Sequence, residues 1–214
     1  MSNRSIHTLL KNWDEECPLT REEAVEVLNL PEEEMDSLME CAYALRTKYK
    51  GKKVSVQLLT NVRSGNCTQN CAYCAQSKDS QAEIEKYKRV SDEKLYGDND
   101  LVDEKHLARH CIGLSGIGFS DEEIEDLADR IREMKKKDTQ ICCSIGFLTE
   151  KQARILKDAG LDRINHNLNS SRSFYPEICT THTYDQRVNN IKMLQSLGFE
   201  ICSGGIVGMG ERKE

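Results

Sequence analysis

Cys67, Cys71 and Cys74 stand in a Cys-x3-Cys-x2-Cys spacing, within Ser64-Gly-Asn-Cys-Thr-Gln-Asn-Cys-Ala-Tyr-Cys-Ala-Gln76. Three thiolates so spaced can hold three irons of a four-iron, four-sulfur cluster and leave the fourth iron without a protein ligand. An open iron on an electron-transfer cluster is a place to bind and reduce a small molecule. A closed structural zinc site fits less well, because it wants four ligands and no fourth cysteine is close in sequence.

The chain has ten cysteines in 214 residues, more than one cluster needs, so they must be sorted. The N-terminus, Met1-Ser-Asn-Arg-Ser-Ile-His, lacks the long apolar core of a secretion signal, which predicts a cytoplasmic protein. Metal binding or catalysis is then a better use of cysteine than a disulfide framework. No apolar run approaches the ~18 residues of a membrane span, so no membrane partner is expected. The net charge of -6 and the lack of a basic stripe argue against nucleic acid.

The elements that must position these groups follow from pattern. Residues 1–50 read as a helical extension. Thr20-Arg-Glu-Glu23 is a capping box, Pro31 suits a first turn, and Gly51 can close the second helix. Met35, Leu38, Met39, Ala42 and Leu45 recur at helical spacing and read as packing. Residues 51–214 then alternate strands and helices. Val54, Val56 and Leu58 suggest a first strand. A poorly defined helix at 91–96 precedes the turn-prone Gly97-Asp-Asn-Asp100. Further strands are expected at 107–114, 140–146, 162–168 and 200–207. Capping boxes at Ser120-Asp-Glu-Glu123, Thr149-Glu-Lys-Gln152 and Thr183-Tyr-Asp-Gln186 open the intervening helices. The alternation predicts an α/β fold with a parallel sheet. Open and barrel sheets both fit. Polar residues and cysteines on successive strands favour a partial (β/α) TIM-type barrel, as if they converged on an interior.

Strand side chains alternate in direction. If Ile112, Leu114, Ile141, Ile145, Ile164, Leu168 and Ile201 face the helices, then Arg109, Cys111, Cys142, Ser144, Asn165, Asn167 and Cys202 face inward. One such cysteine would be read as a small buried hydrophobe. Three from three strands, beside a cluster loop, favour a second metal centre. Cys143 reads as helix packing, and Cys17, Cys41 and Cys179 as bystanders. His166 has helix-facing parity and reads as a satisfied core histidine. Arg187, on a helix, reads as a solvated or salt-bridged side chain. Asn165 and Asn167 could satisfy backbone groups at a strand end, and Gly204 and Gly205 could serve close backbone approach.

These segments carry a resemblance. The cysteine loop with Tyr73 resembles the radical S-adenosylmethionine (SAM) enzymes. Arg109-His-Cys111, Ile145-Gly-Phe-Leu, Asn165-His-Asn-Leu-Asn, Thr180-Thr-His-Thr-Tyr-Asp-Gln-Arg187 and Cys202-Ser-Gly-Gly-Ile-Val-Gly-Met-Gly-Glu211, in this order, are similar to the biotin synthase family. The resemblance implies a [4Fe-4S] cluster on Cys67, Cys71 and Cys74, with SAM on the open iron. It implies a [2Fe-2S] cluster on Cys111, Cys142 and Cys202 that supplies sulfur for converting dethiobiotin to biotin. Tyr73 and Ile206 would lie by the adenine, and Asn165 and Asn167 by the SAM ribose and substrate. Asn169 stands where the family has Asp, and Gly204 and Gly205 complete the binding segment. A reductase-type electron donor and a homodimer of a longer chain are further implications. Five strand–helix units are visible where a closed barrel needs eight, so the reading expects a shortened chain without the family's arginine cluster ligand. Two other readings stay open: a related enzyme acting in cofactor or hydrogenase maturation, and an inactive iron–sulfur or zinc-binding fragment.

Overall fold

The computed structural model describes residues 19–212, which divide into two compact units, one holding residues 19–54 and the other 55–211. Cys17 lies outside the described residues.

In the first unit, α1 (Arg21–Leu28) and α2 (Met35–Lys50) flank a 3-10 turn at Glu32–Glu34. The capping box forms: the Glu23 N–H donates to Thr20 Oγ1 at 3.2 Å, and the Thr20 N–H donates to Glu23 Oε2 at 2.9 Å. Pro31 caps the 3-10 turn, and Gly51 ends α2 at a φ of 60°. The methionine stripe expected to pack is instead exposed at Met35 and Met39. Among the described residues neither helix buries a side chain.

The second unit is a five-stranded parallel sheet in the order β1-β2-β3-β4-β5. Its strands are β1 (Gln57–Arg63), β2 (Arg109–Leu114), β3 (Ile141–Ser144), β4 (Arg163–Asn165) and β5 (Glu200–Cys202). The helices are α3 (Asp92–Glu104), α4 (Asp121–Met134), α5 (Glu150–Asp158), the short α6 (Tyr175–Ile178) and α7 (Tyr184–Ser196). Strict sequential order without a reversal is barrel topology; a doubly wound sheet reverses at a switch point. All three predicted capping boxes open their helices. The core lies between the sheet and its helices, where Ile112, Ile141, Cys143 and Ile164 meet Ile124, Leu127, Ile131, Leu156 and Leu194.

Several local expectations fail: β3, β4 and β5 end at Ser144, Asn165 and Cys202, short of the expected 146, 168 and 207. Val54 and Val56 lie before β1 and are exposed, so the strand starts later than their alternation suggested. Residues 97–100 do not turn but continue α3 to Glu104. The reason is tertiary. Asp98 and Asn99 are buried, and their side chains bond Thr60 and His110 on the sheet. A polar run that reads as a turn locally is helical because its side chains are satisfied from across the core.

Candidate functional site

The three loop cysteines follow β1 in a segment without regular structure. It is shaped by residues far along the chain. The Ala72 N–H donates to the Ile178 carbonyl at 2.9 Å. Asn70 Oδ1 accepts from the Thr180 N–H at 3.1 Å and the Thr181 N–H at 3.3 Å, while its Nδ2 donates to Thr180 Oγ1 at 2.7 Å. Cys71 is buried, and Cys67 and Cys74 are half-buried. All three, with Tyr73, line a cavity of about 230 Å³. Its other walls come from chain at and just past the carboxyl ends of β2, β3 and β4, including Gly116, Gly146, Asn165, Asn167 and Asn169. Active sites of (β/α) barrels are built at this end. Gly146 is required there, since a Cβ on it would stand 2.3 Å from the Ile117 carbonyl oxygen.

Cys179, His166 and Arg187, all read differently from sequence, belong to this site together with His182. Cys179 Sγ lies 3.7 Å from Cys71 Sγ and 3.3 Å from His182 Nδ1. It is a neighbour of a loop cysteine rather than a bystander. Burial pushes the Cys71 thiol up to about 12, and the adjacent Cys179 sulfur adds to this. Burial also opposes ionisation of Cys179. The Thr181 hydroxyl and the N–H groups of His182 and Thr181 outweigh it and hold Cys179 below its ordinary value. Burial, then the nearby Cys71 sulfur, raises Tyr73. Arg187 is not a solvated side chain. Its Nε donates to the Tyr175 hydroxyl at 2.6 Å, and its Nη1 donates to the Asn167 carbonyl at 3.0 Å. Burial, followed by the Arg187 charge, lowers His166 and His182 to about 4, so both imidazoles are neutral at neutral pH. His166 lines the cavity, and neither ring nitrogen has a hydrogen-bond partner among the described residues. The parity argument misplaced it because β4 ends at Asn165, beyond which strand alternation no longer applies.

The strand cysteines lie elsewhere on the sheet. Cys111 and Cys142 are register partners on adjacent strands. Cys202 pairs with Asn165, two residues further along than the row of Cys142, Arg163 and Glu200. All three share the face opposite the core, whereas Cys143 is wholly buried on the helix side. Burial pushes Cys142 up to about 12, with Cys111 and Cys202 adding to it, and raises Cys111. Arg109 approaches Glu200 at 3.8 Å, and Arg163 Nε donates to Glu200 at 2.7 Å. Both guanidiniums lie close enough to favour the Cys111 thiolate. Beyond β4 the chain runs alongside the segment after β5. The Asn169 N–H donates to the Gly204 carbonyl at 3.0 Å, and the Ile206 N–H to the Asn169 carbonyl at 2.8 Å. A Cβ on Gly205 would sit 3.2 Å from the Asn169 oxygen, and Asn169 itself adopts a φ of 69°, which asparagine tolerates better than most residues. Ile206 is exposed.

Comparison with known proteins decides the family. A model of the Radical SAM superfamily matches residues 61–214. The chain belongs to the radical SAM superfamily. It is 40% identical over 196 residues to the biotin synthase of Geobacillus kaustophilus and 41% identical over 197 residues to that of Bacillus subtilis. These alignments cover 91% and 92% of this chain and 59% of each relative, so the chain spans less than two thirds of their length. Among solved structures, methylornithine synthase (PylB) matches with a TM-score of 0.82 at 16% identity, covering 96% of this chain and 60% of that one. The [FeFe]-hydrogenase maturase HydG matches at 0.81 and 18% identity, covering 100% and 48%. These two likenesses speak to the fold, which is that of radical SAM barrel enzymes.

Radical SAM membership implies a four-iron cluster with SAM, and the cavity suits such a group. Three thiols converge on it. Beside them, Asn165 Oδ1, Asn169 Nδ2 and both His166 nitrogens are buried without partners among the described residues. Buried polar atoms are nearly always satisfied, so these unspent donors and acceptors fit a polar ligand lying against the thiols.

Proposed function

We propose that this radical SAM chain carries the SAM-binding and sulfur-insertion residues of a biotin synthase-type enzyme, with dethiobiotin as substrate and biotin as product. The observation that carries this reading is a second cysteine set, Cys111, Cys142 and Cys202, on one face of three strands and separate from the loop triplet. The identity to biotin synthases supports it.

In this reading Cys67, Cys71 and Cys74 hold a [4Fe-4S] cluster, and Cys111, Cys142 and Cys202 hold a [2Fe-2S] cluster. When bound, these groups supply the electron that cleaves SAM and the sulfur that bridges two carbons of dethiobiotin. Tyr73 and Ile206 flank the adenine. Asn165 and Asn167 hold the ribose and substrate, and Asn169 keeps a hydrogen bond where the family has a carboxylate. Gly204 and Gly205 let the backbone approach. Arg109 and Arg163 offset thiolate charge on the inner face. His166 and His182 stay neutral beside Arg187 and add no second cation to the wall. The same reading brings a reductase-type electron donor, a homodimer and a cytoplasmic setting.

The test is anaerobic reconstitution followed by iron and sulfide counts and Mössbauer spectroscopy. Cys67→Ala is expected to remove the four-iron signal and keep the two-iron signal, and Cys142→Ala to do the reverse. A single cluster type indifferent to Cys111, Cys142 and Cys202 would overturn the two-cluster reading. Formation of 5′-deoxyadenosine that depends on dethiobiotin, and not on unrelated substrates, checks the substrate.

A further inference from the structure

We propose that His182 is a positioning residue for SAM binding: its neutral ring, protonated on Nδ1, joins the cysteine loop to the Asn165–Asn169 wall of the cavity. These two walls come from chain after β1 and chain at the end of β4. The two strands are not neighbours in the sheet, so no ladder fixes one wall against the other. A ligand lying between them is held only as well as the walls are held to each other.

The hydrogen bonds of the ring decide where its proton sits. His182 Nε2 lies 3.1 Å from Arg187 Nε and 2.9 Å from the Tyr175 hydroxyl oxygen. A guanidinium N–H only donates, so Nε2 must present its lone pair. The proton is then on Nδ1, which donates to Gln69 Oε1 at 2.9 Å. Gln69 is oriented for this, because its Nε2 donates to Thr68 Oγ1 at 3.0 Å. One neutral imidazole thus donates toward the loop and accepts from the other side. Gln69, Tyr175 and His182 are all buried, so a lost bond leaves a polar group unpaired away from water.

Followed outward, the bonds reach both walls. Gln69 stands between Cys67 and Cys71. Its carbonyl accepts from Ser77 Oγ at 3.1 Å and from the Lys78 N–H at 2.9 Å, which ties together the two limbs of the loop. On the other side, Arg187 Nη1 donates to the Asn167 carbonyl at 3.0 Å. The joint itself is held in place. His182 directly precedes Thr183, the cap of α7, and its ring meets Phe147 edge-on with centroids 5.5 Å apart. Members of a buried hydrogen-bonded chain strengthen one another, so a break at any member loosens both ends. This role rests on the loop triplet holding the four-iron cluster and is independent of the dethiobiotin substrate.

The experiment is hydrogen exchange by mass spectrometry on the cluster-free 214-residue chain, read at the Ala72 amide of the loop. His182→Phe removes both ring contacts. Tyr175→Phe removes a hydroxyl bonded to His182 and Arg187 and not to the loop. Each should speed Ala72 exchange about tenfold, and the double variant about tenfold rather than about a hundredfold. A hundredfold rise, or no rise in either single variant, would overturn the joint. His182→Asn can keep the bond to Gln69 but falls short of Arg187, so it should behave like His182→Phe. Recovery of the parent rate in His182→Asn would show that the loop needs only its own bond, and would overturn the joint as well. Unchanged exchange of the Cys143 amide separates these effects from loss of the fold. After anaerobic reconstitution and reduction, SAM is titrated against the electron paramagnetic resonance signal of the four-iron cluster. The SAM concentration at half change should rise about tenfold in His182→Phe and in Tyr175→Phe. A parent chain without that signal would count against the cluster reading, while the exchange result decides the joint by itself. An unchanged SAM requirement in variants whose exchange has risen would overturn the positioning role.

Discussion

Cys142 takes its position from a sheet ladder, and Cys71 takes its position from a docked loop. On β3, the backbone is paired on both sides, with β2 and with β4, and the residue behind Cys142 is sealed in the core. The loop triplet has no such ladder. Its place depends on Asn70, Gln69 and Ala72 reaching residues 178–182. Sheet register gives a set of cysteines whose positions vary little as the molecule breathes. A docked loop can open locally at less than the cost of global unfolding, which suits a site that must accept a large group.

A fall in pH acts on both regions, and this is the largest effect expected. His110 is buried behind Cys111 and bonded to Thr60 and Asn99, and burial lowers it to about 4 against the pull of Asp98. His166 and His182 are lowered to about 4 at the loop end. Unfolded histidine titrates near ~6.5. Between that value and the folded one, the unfolded chain binds protons that the folded chain does not. Their stabilising effect is therefore complete above ~6.5 and is lost as the pH falls toward the folded value. Each such histidine costs up to about 1.4 kcal/mol per pH unit in that window. Urea midpoints of the cluster-free chain should stay level from pH 7.5 to ~6.5 and fall steadily from there to ~5, above the range of most carboxylates. His110→Asn and His182→Asn should each flatten the slope. A flat profile in the parent chain would show that the imidazoles are not held neutral.

The two regions were also unequally legible in the sequence. Alternation about Ile112, Ile141 and Ile164 placed Cys111 and Cys142 on one face and Cys143 on the other, because one strand position determines the next. That rule stopped working at His166, one residue after β4 ends. Capping boxes at Ser120, Thr149 and Thr183 were readable because their partners are three residues away. Cys179 was not, because its partner Cys71 is 108 residues away and no local pattern encodes that contact. Gly97-Asp-Asn-Asp100 misled for the same reason, since its helix depends on bonds to β1 and β2.

Parity within β3 predicts an intermediate effect. Cys143 is wholly buried among Ile112, Ile164 and helix residues of the apolar core, while Cys142 faces Cys111 and the inner arginines. Cys143→Ser puts a hydroxyl where few polar partners are available, at about 2 kcal/mol. Cys142→Ser, with polar neighbours, should cost less than about 1 kcal/mol. Denaturant unfolding of the two variants compares them directly. Equal costs would mean that the two faces of the strand do not differ as described.

The smallest effect on global stability, and the sharpest separation of the regions, is expected from Asn70→Ala. The substitution removes bonds to the Thr180 and Thr181 N–H groups and to the Thr180 and Thr181 hydroxyls. These groups are exposed, and water replaces most of what is lost, so global stability should change by about 1 kcal/mol or less. The loop should respond more strongly. The Ala72 N–H, bonded to Ile178, is protected only while the loop stays docked. If that docking loses about 1.4 kcal/mol, exchange of this amide rises about tenfold. The Cys143 amide, inside the ladder, exchanges through larger openings and should not change. Hydrogen exchange followed by mass spectrometry resolves the two segments. Equal acceleration in both would mean that the loop opens only with the whole sheet, and the distinction between a laddered and a docked set of cysteines would then fail.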